Sequence, residues 1–177
     1  MRPLASGEIS GREALWVGAA CALAAAFLLI PLNWQARFWA LPALAIAAVY
    51  PFTKRFFAIP QAILGLAFSM GIPMAFAAVR AEVPPLAWVL MFANFFWVMA
   101  YDTEYAMVDR DDDIVIGINT SALFFEKFDV LAVAASYASF LGIMAGVGVW
   151  QQFGIFYYAG LALAAALAII QIGRAHV

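Results

Sequence analysis

Charge is scarce in this chain: Asp, Glu, Lys and Arg together make up 11% of its 177 residues, while 67% are hydrophobic. A soluble domain is about half apolar and about a quarter charged, so an ordinary soluble fold is excluded. Cysteine is nearly absent. Cys21 stands alone in an apolar run, which excludes a disulfide framework or a cysteine metal site and leaves packing as its role. Histidine occurs once, at His176, so no histidine-centred chemistry is available to the body of the chain. The formal charge of −2 offers no basic footprint for nucleic acid.

What is present is long apolar blocks. Ala14–Ile30, Phe38–Phe52, Ile59–Val79, Pro85–Ala100, Val130–Trp150 and Phe153–Ile170 are nearly free of charge. A helix needs about 20 mostly apolar residues to cross a hydrocarbon layer of about 30 Å. The second and fourth blocks are short for that. Because every backbone amide in lipid must be satisfied internally, all six blocks are expected to be helical spans of an all-α transmembrane bundle. A soluble all-helical protein would show polar stripes on its outer faces, and Ala14–Ile30 and Pro85–Ala100 show none. Six spans put Arg2, Arg12, Lys54, Arg55, Arg110 and Lys127 on one side and only Arg37 and Arg80 on the other. The basic side is expected to be cytoplasmic. Arg2–Arg12 lead into a span with no cleavage-type site, so no signal peptide is expected.

Of eleven acidic residues, six lie between Asp102 and Asp113, opposed there only by Arg110. Carboxylates in or at the edge of a membrane are costly, about 2.5–3.5 kcal/mol for an Asp at a helix centre, and are functional candidates by default. If the fourth span continues as helix, Asp102, Asp109 and Asp113 fall within about 40° of one another, with Tyr105 near the same face. Asp109 and Asp113 are then one turn, about 6 Å, apart, close enough to share a hard cation, and Asp102 lies about 10 Å deeper. Asp111 points the other way, into solvent. Aligned carboxylates repel unless a cation joins them, and magnesium suits, since it takes one or two carboxylates and completes its shell with water and phosphate oxygens. A solvated acidic loop is the bland alternative. An EF-hand calcium loop is excluded, because Ile114 and Thr120 stand where it needs Gly and Glu.

A second polar island, Tyr50-Pro51-Phe52-Thr53-Lys54-Arg55, lies on the same side. It reads either as a topological anchor or as a cationic partner for phosphate, Arg55 giving a planar fork and Lys54 a point charge. Trp88, Phe92, Phe95, Phe96, Trp97 and Tyr101 of the fourth span offer lining for an apolar chain and faces that stabilise carbocations, against the alternative of lipid-facing packing. A cation channel would place its acids near mid-bilayer, and these crowd at a helix end.

The stretch from Tyr101 to Asp113 resembles the second Asp-rich motif of the 4-hydroxybenzoate branch of the UbiA-type prenyltransferases. Arg2-Pro3-Leu4-Ala5-Ser6-Gly7, Tyr50–Arg55 and Ile72-Pro73-Met74-Ala75-Phe76-Ala77-Ala78 are similar to further motifs of that family. The resemblance runs from Arg2 to about Gln171. It implies nine transmembrane helices around a cavity open to the cytoplasmic side of a bacterial inner membrane, with six spans, helices three to eight, in residues 1–171. It also implies transfer of a polyprenyl group from polyprenyl diphosphate to the 3-position of 4-hydroxybenzoate in ubiquinone synthesis, with magnesium as cofactor and the bilayer as host. By position, Asp102, Asp109 and Asp113 would hold metal, and Arg55 would act with them. Lys54, Arg55, Tyr50 and Tyr105 would bind substrate. The family's first Asp-rich motif belongs just before Arg2. Met1 stands where the family has Asn, and Asn119 where it commonly has Lys. Residues 172–177 read as a translated sequencing adapter, and with that missing motif they make the expectation a fragment that is inactive alone.

Overall fold

In a computed structural model, residues 6–175 are described, and all their regular structure is helical. Met1 to Ala5 and His176 lie outside the described residues, so the expectations placed on Met1, on Arg2–Ala5 and on His176 have no structural counterpart here. The helices are α1 (Gly11–Leu29), α2 (Trp34–Thr53), α3 (Pro60–Ser69), α4 (Gly71–Arg80), α5 (Pro85–Val108), α6 (Arg110–Ile116), α7 (Ser121–Phe125), α8 (Asp129–Trp150) and α9 (Ile155–Ala175). A 3-10 turn over Glu126–Phe128 joins α7 to α8.

Start signals are local and chemical. Ser10 caps α1 in a capping box: its hydroxyl accepts from the Glu13 amide, and the Glu13 carboxylate accepts from the Ser10 amide at 2.7 Å. Asn33 caps α2 through the Ala36 amide at 2.9 Å. Proline, which has no N–H to waste, occupies the first position of α3 and of α5. Gly117, at φ 74°, ends α6, where its amide and that of Ile118 both donate to the Asp113 carbonyl.

Among the described residues, six helical segments are long and apolar enough to cross a membrane: Gly11–Leu29, Trp34–Thr53, Pro60–Arg80, Pro85–Val108, Ser121–Trp150 and Ile155–Gly173. They match the six apolar blocks, with three differences, one being that the fifth span begins at Ser121 rather than Val130 and joins α7, the 3-10 turn and α8. The short second and fourth blocks are both completed by flanking residues, from Trp34 and through Val108, because polar side chains do not stop a helix whose backbone must stay bonded. The third span is two helices meeting at Met70. Pro73 has no N–H for the Ser69 carbonyl four residues back, and the Ser69 hydroxyl turns to the Gly65 carbonyl while accepting from Asn94 on α5.

The helix α5 is the hub, packed against α8, α3 and α4. The close contacts are made by small residues, which let backbones approach where lipid supplies no hydrophobic drive. Ala77, Ala87, Ala93, Ala100 and Ala106 are buried, and Gly65 lies against Phe95, where an added Cβ would come within 3.0 Å of the ring. Large apolar side chains point outward instead: Phe156 is 90% exposed, and no residue of α1 is buried. That inverted pattern suits a lipid-facing surface.

A candidate diphosphate site at one end of the bundle

The acid-rich stretch keeps its helical register through a small break. Asp109 leaves helical geometry (φ −87°, ψ 6°), yet its amide still donates to the Tyr105 carbonyl at 3.1 Å and its carbonyl accepts from the Asp113 amide at 2.9 Å. The turn therefore carries on from α5 into α6. Asp102, Asp109 and Asp113 line one cavity of about 420 Å3, with Tyr105 and Ala106 from the same helix face. Asp113 is 9% exposed, and Asp111 is exposed and absent from the lining, as the helical spacing predicts. Among the described residues no three acidic, His or Cys side chains form a group able to hold a metal on their own. The donors are nevertheless all hard oxygens sharing one space, which fits a magnesium held by one or two carboxylates and completed by phosphate oxygens.

The basic island divides. Lys54, just past the end of α2, lines the acid cavity. Arg55 is exposed and is not among the lining residues, and Tyr50 is half-buried one turn back, its carbonyl accepting from the Thr53 hydroxyl at 2.6 Å. The Lys54 carbonyl accepts from the Asn119 amide at 2.8 Å, so the loop after α6 folds back over this corner.

Three lining residues carry no signal that spacing alone detects: Asp112, Gln61 and Thr120. Gln61 is 2% exposed, and its side-chain oxygen accepts from the buried Ser121 amide at 2.8 Å. The Ser121 hydroxyl in turn donates to that of Thr103 on α5 at 2.8 Å. This chain of bonds ties α3, α7 and α5 together behind the cavity. A lone glutamine at the head of an apolar run was its only trace in the sequence.

Beside the acid cavity lies a larger one of about 670 Å3, between α5, α8 and α9. Trp97, Tyr101, Tyr105 and Tyr137 line it with Leu167 and Ala168, and Tyr105 belongs to both cavities. Glu104 also faces it and accepts from the Tyr137 hydroxyl at 3.3 Å. Of the other aromatics on α5, Phe92, Phe95 and Phe96 pack on one another and Trp88 meets Trp39 edge-on at 5.1 Å, so they serve packing rather than this cavity.

The sequence profile of the UbiA prenyltransferase family matches residues 1–176. A 4-hydroxybenzoate octaprenyltransferase of Paraburkholderia phymatum is 58% identical over 168 residues, covering 95% of this chain and 58% of that protein. One from Nitrosomonas eutropha is 55% identical over 170 residues, covering 96% and 59%. The chain thus spans little more than half the length of these relatives. The apo structure of a UbiA homolog from Aeropyrum pernix superposes with a TM-score of 0.83 at 29% identity, over 98% of this chain and 66% of that one. Six membrane-capable helices, an acid cavity beside an aromatic one and these likenesses converge: the chain belongs to the UbiA prenyltransferase family.

Proposed function

We propose that the full-length protein transfers a polyprenyl group from a polyprenyl diphosphate to the 3-position of 4-hydroxybenzoate, a step of ubiquinone synthesis, with residues 1–171 forming part of its membrane domain. The observation that carries this reading is the adjacency of the two cavities: one lined by Asp102, Asp109, Asp113 and Lys54, the other mostly apolar and aromatic, with Glu104 and Gln171 as its polar members and Tyr105 on both. A diphosphate with a long hydrocarbon tail has that same division of character. The relatives' names supply the acceptor.

On this reading Asp102, Asp109 and Asp113 would hold magnesium, which would supply positive charge against the departing diphosphate. Lys54 adds a point charge from the cavity wall, and Arg55, exposed at the same helix end and outside the lining, is the candidate for the outer phosphate oxygens through its fork. Tyr105, shared by both cavities, and Tyr101 of the aromatic one offer ring faces that stabilise positive charge as the allylic C–O bond breaks. The ring carbon ortho to the phenol then forms the new bond and loses its proton. Lys54 and Arg55 at this end of the bundle favour a cytoplasmic orientation of the site in a bacterial inner membrane. The test is prenylation of 4-hydroxybenzoate by membranes carrying the full-length protein, with and without chelator and with competing aromatic acids. Turnover that persists without divalent metal, or that prefers another acceptor, refutes the reading.

A further inference from the structure

Arg110 is the single basic residue inside the acid-rich stretch, and the obvious expectation is that it faces the acids beside it. It does not line their cavity. Its guanidinium turns away to an ion pair with Asp129, the first residue of α8, nineteen positions along the chain. Asp129 is 7% exposed, and its other carboxylate oxygen accepts from the Val130 amide at 2.6 Å.

That pairing answers a weakness in α6. The helix has seven residues and is supported at its start only as the continuation of α5 across the break at Asp109. It packs chiefly on α5, its own predecessor, and Val115 and Ile116 are 86% and 69% exposed. A cation at its first position opposes the helix dipole, whereas Asp129 suits the first turn of α8 and cancels that cation. The pair also closes the segment from Gly117 to Phe128, which carries Thr120 of the cavity wall and Ser121 of the bond network behind it.

We propose that Arg110 and Asp129 form a positioning latch that holds the first turn of α6 against the start of α8 and so fixes where Asp113 stands in the acid cavity. The latch rests on reading that cavity as a metal–diphosphate site, and Arg110 acts through Asp113 rather than on substrate.

Hydrogen exchange of the chain in lipid nanodiscs, without metal, reads the latch directly. Arg110→Gln and Asp129→Asn are expected to speed exchange of the Asp113–Ile118 amides about tenfold, and the swapped pair Arg110→Asp with Asp129→Arg to restore protection. Manganese(II) titrated by electron paramagnetic resonance gives the second readout. Each single variant weakens binding about tenfold, the scale of outer-shell losses, while Asp113→Asn weakens it with α6 protection intact. Unchanged exchange in the single variants, no rescue by the swap, or lost protection with unchanged manganese binding each overturns the proposal. An unprotected α6 in the wild-type chain overturns it too. If the wild type binds no manganese, the metal reading of the cavity fails, and the exchange data alone decide the latch.

Discussion

Gln61→Met removes the acceptor for the Ser121 amide while keeping an unbranched side chain of similar length. Ser121 is fully buried and Gln61 nearly so, with their bond at 2.8 Å. The Ser121 amide is also one of the first-turn donors of α7 that the helix itself cannot satisfy. Leaving a buried donor unmade costs about 1–3 kcal/mol. Hydrogen bonds between membrane helices average nearer 0.6 kcal/mol, because the unfolded chain in lipid finds other partners. Total burial and a backbone donor favour the upper range here, about 2 kcal/mol, or a drop of roughly thirtyfold in the folded-to-unfolded ratio. Ser121→Ala should cost less, about 1 kcal/mol, since it loses the Thr103 bond but keeps its amide on Gln61. Equilibrium unfolding in mixed micelles by added SDS, followed by tryptophan fluorescence, measures both. A Gln61→Met protein as stable as wild type, or Ser121→Ala the more damaging of the two, refutes the argument.

If the proposed function holds, Asp109→Asn and Asp113→Asn in the full-length protein should each lower prenyl transfer by orders of magnitude, whereas Asp111→Asn, outside the cavity, should leave it within a few-fold; equal losses would undo the helical-face reasoning. Arg55→Lys keeps the charge but loses the fork, so kcat/KM for the diphosphate should fall, and wild-type kinetics would make Arg55 a topological anchor only. Gly148→Ala places a Cβ 2.6 Å from Tyr157 Cε1 and 2.9 Å from the Tyr158 hydroxyl, and the overpacking should cost about 1–3 kcal/mol in the same SDS titration.

The six spans were legible because lipid imposes one rule on all of them, and an uncharged block satisfies it visibly. Their ends were less so. Asp102, Thr103 and Glu104 look like a loop by composition but continue α5, since the backbone bonds persist whatever the side chains are. The acid stripe was legible through its spacing, which survived the break at Asp109. Periodicity says nothing about residues brought in by chain reversal. Thr120 reaches the cavity through the loop after α6, which returns to the Lys54 carbonyl, and Gln61 through the reversal between α2 and α3. Spacing likewise does not tell which of two adjacent bases enters a cavity, and the turn of α2 into its following loop selects Lys54. The partner of Arg110 lay nineteen residues away, beyond any local pattern.

Both ends of α2 are fastened. At one end Asn33, besides capping the helix, donates through its side-chain amide to the carbonyls of Ala77 and Ala78 at 2.7 and 2.9 Å, closing onto the last turn of α4. At the other, the Lys54 carbonyl takes the Asn119 amide. Twenty helical residues rising 1.5 Å each make this a strut about 30 Å long, the full thickness of the hydrocarbon layer. Held at both ends, the helix has less freedom to rock, so the position of Lys54 depends partly on a side chain at the far end of α2. Loosening Asn33 turns a braced beam into a lever, whose long arm ends in the acid cavity.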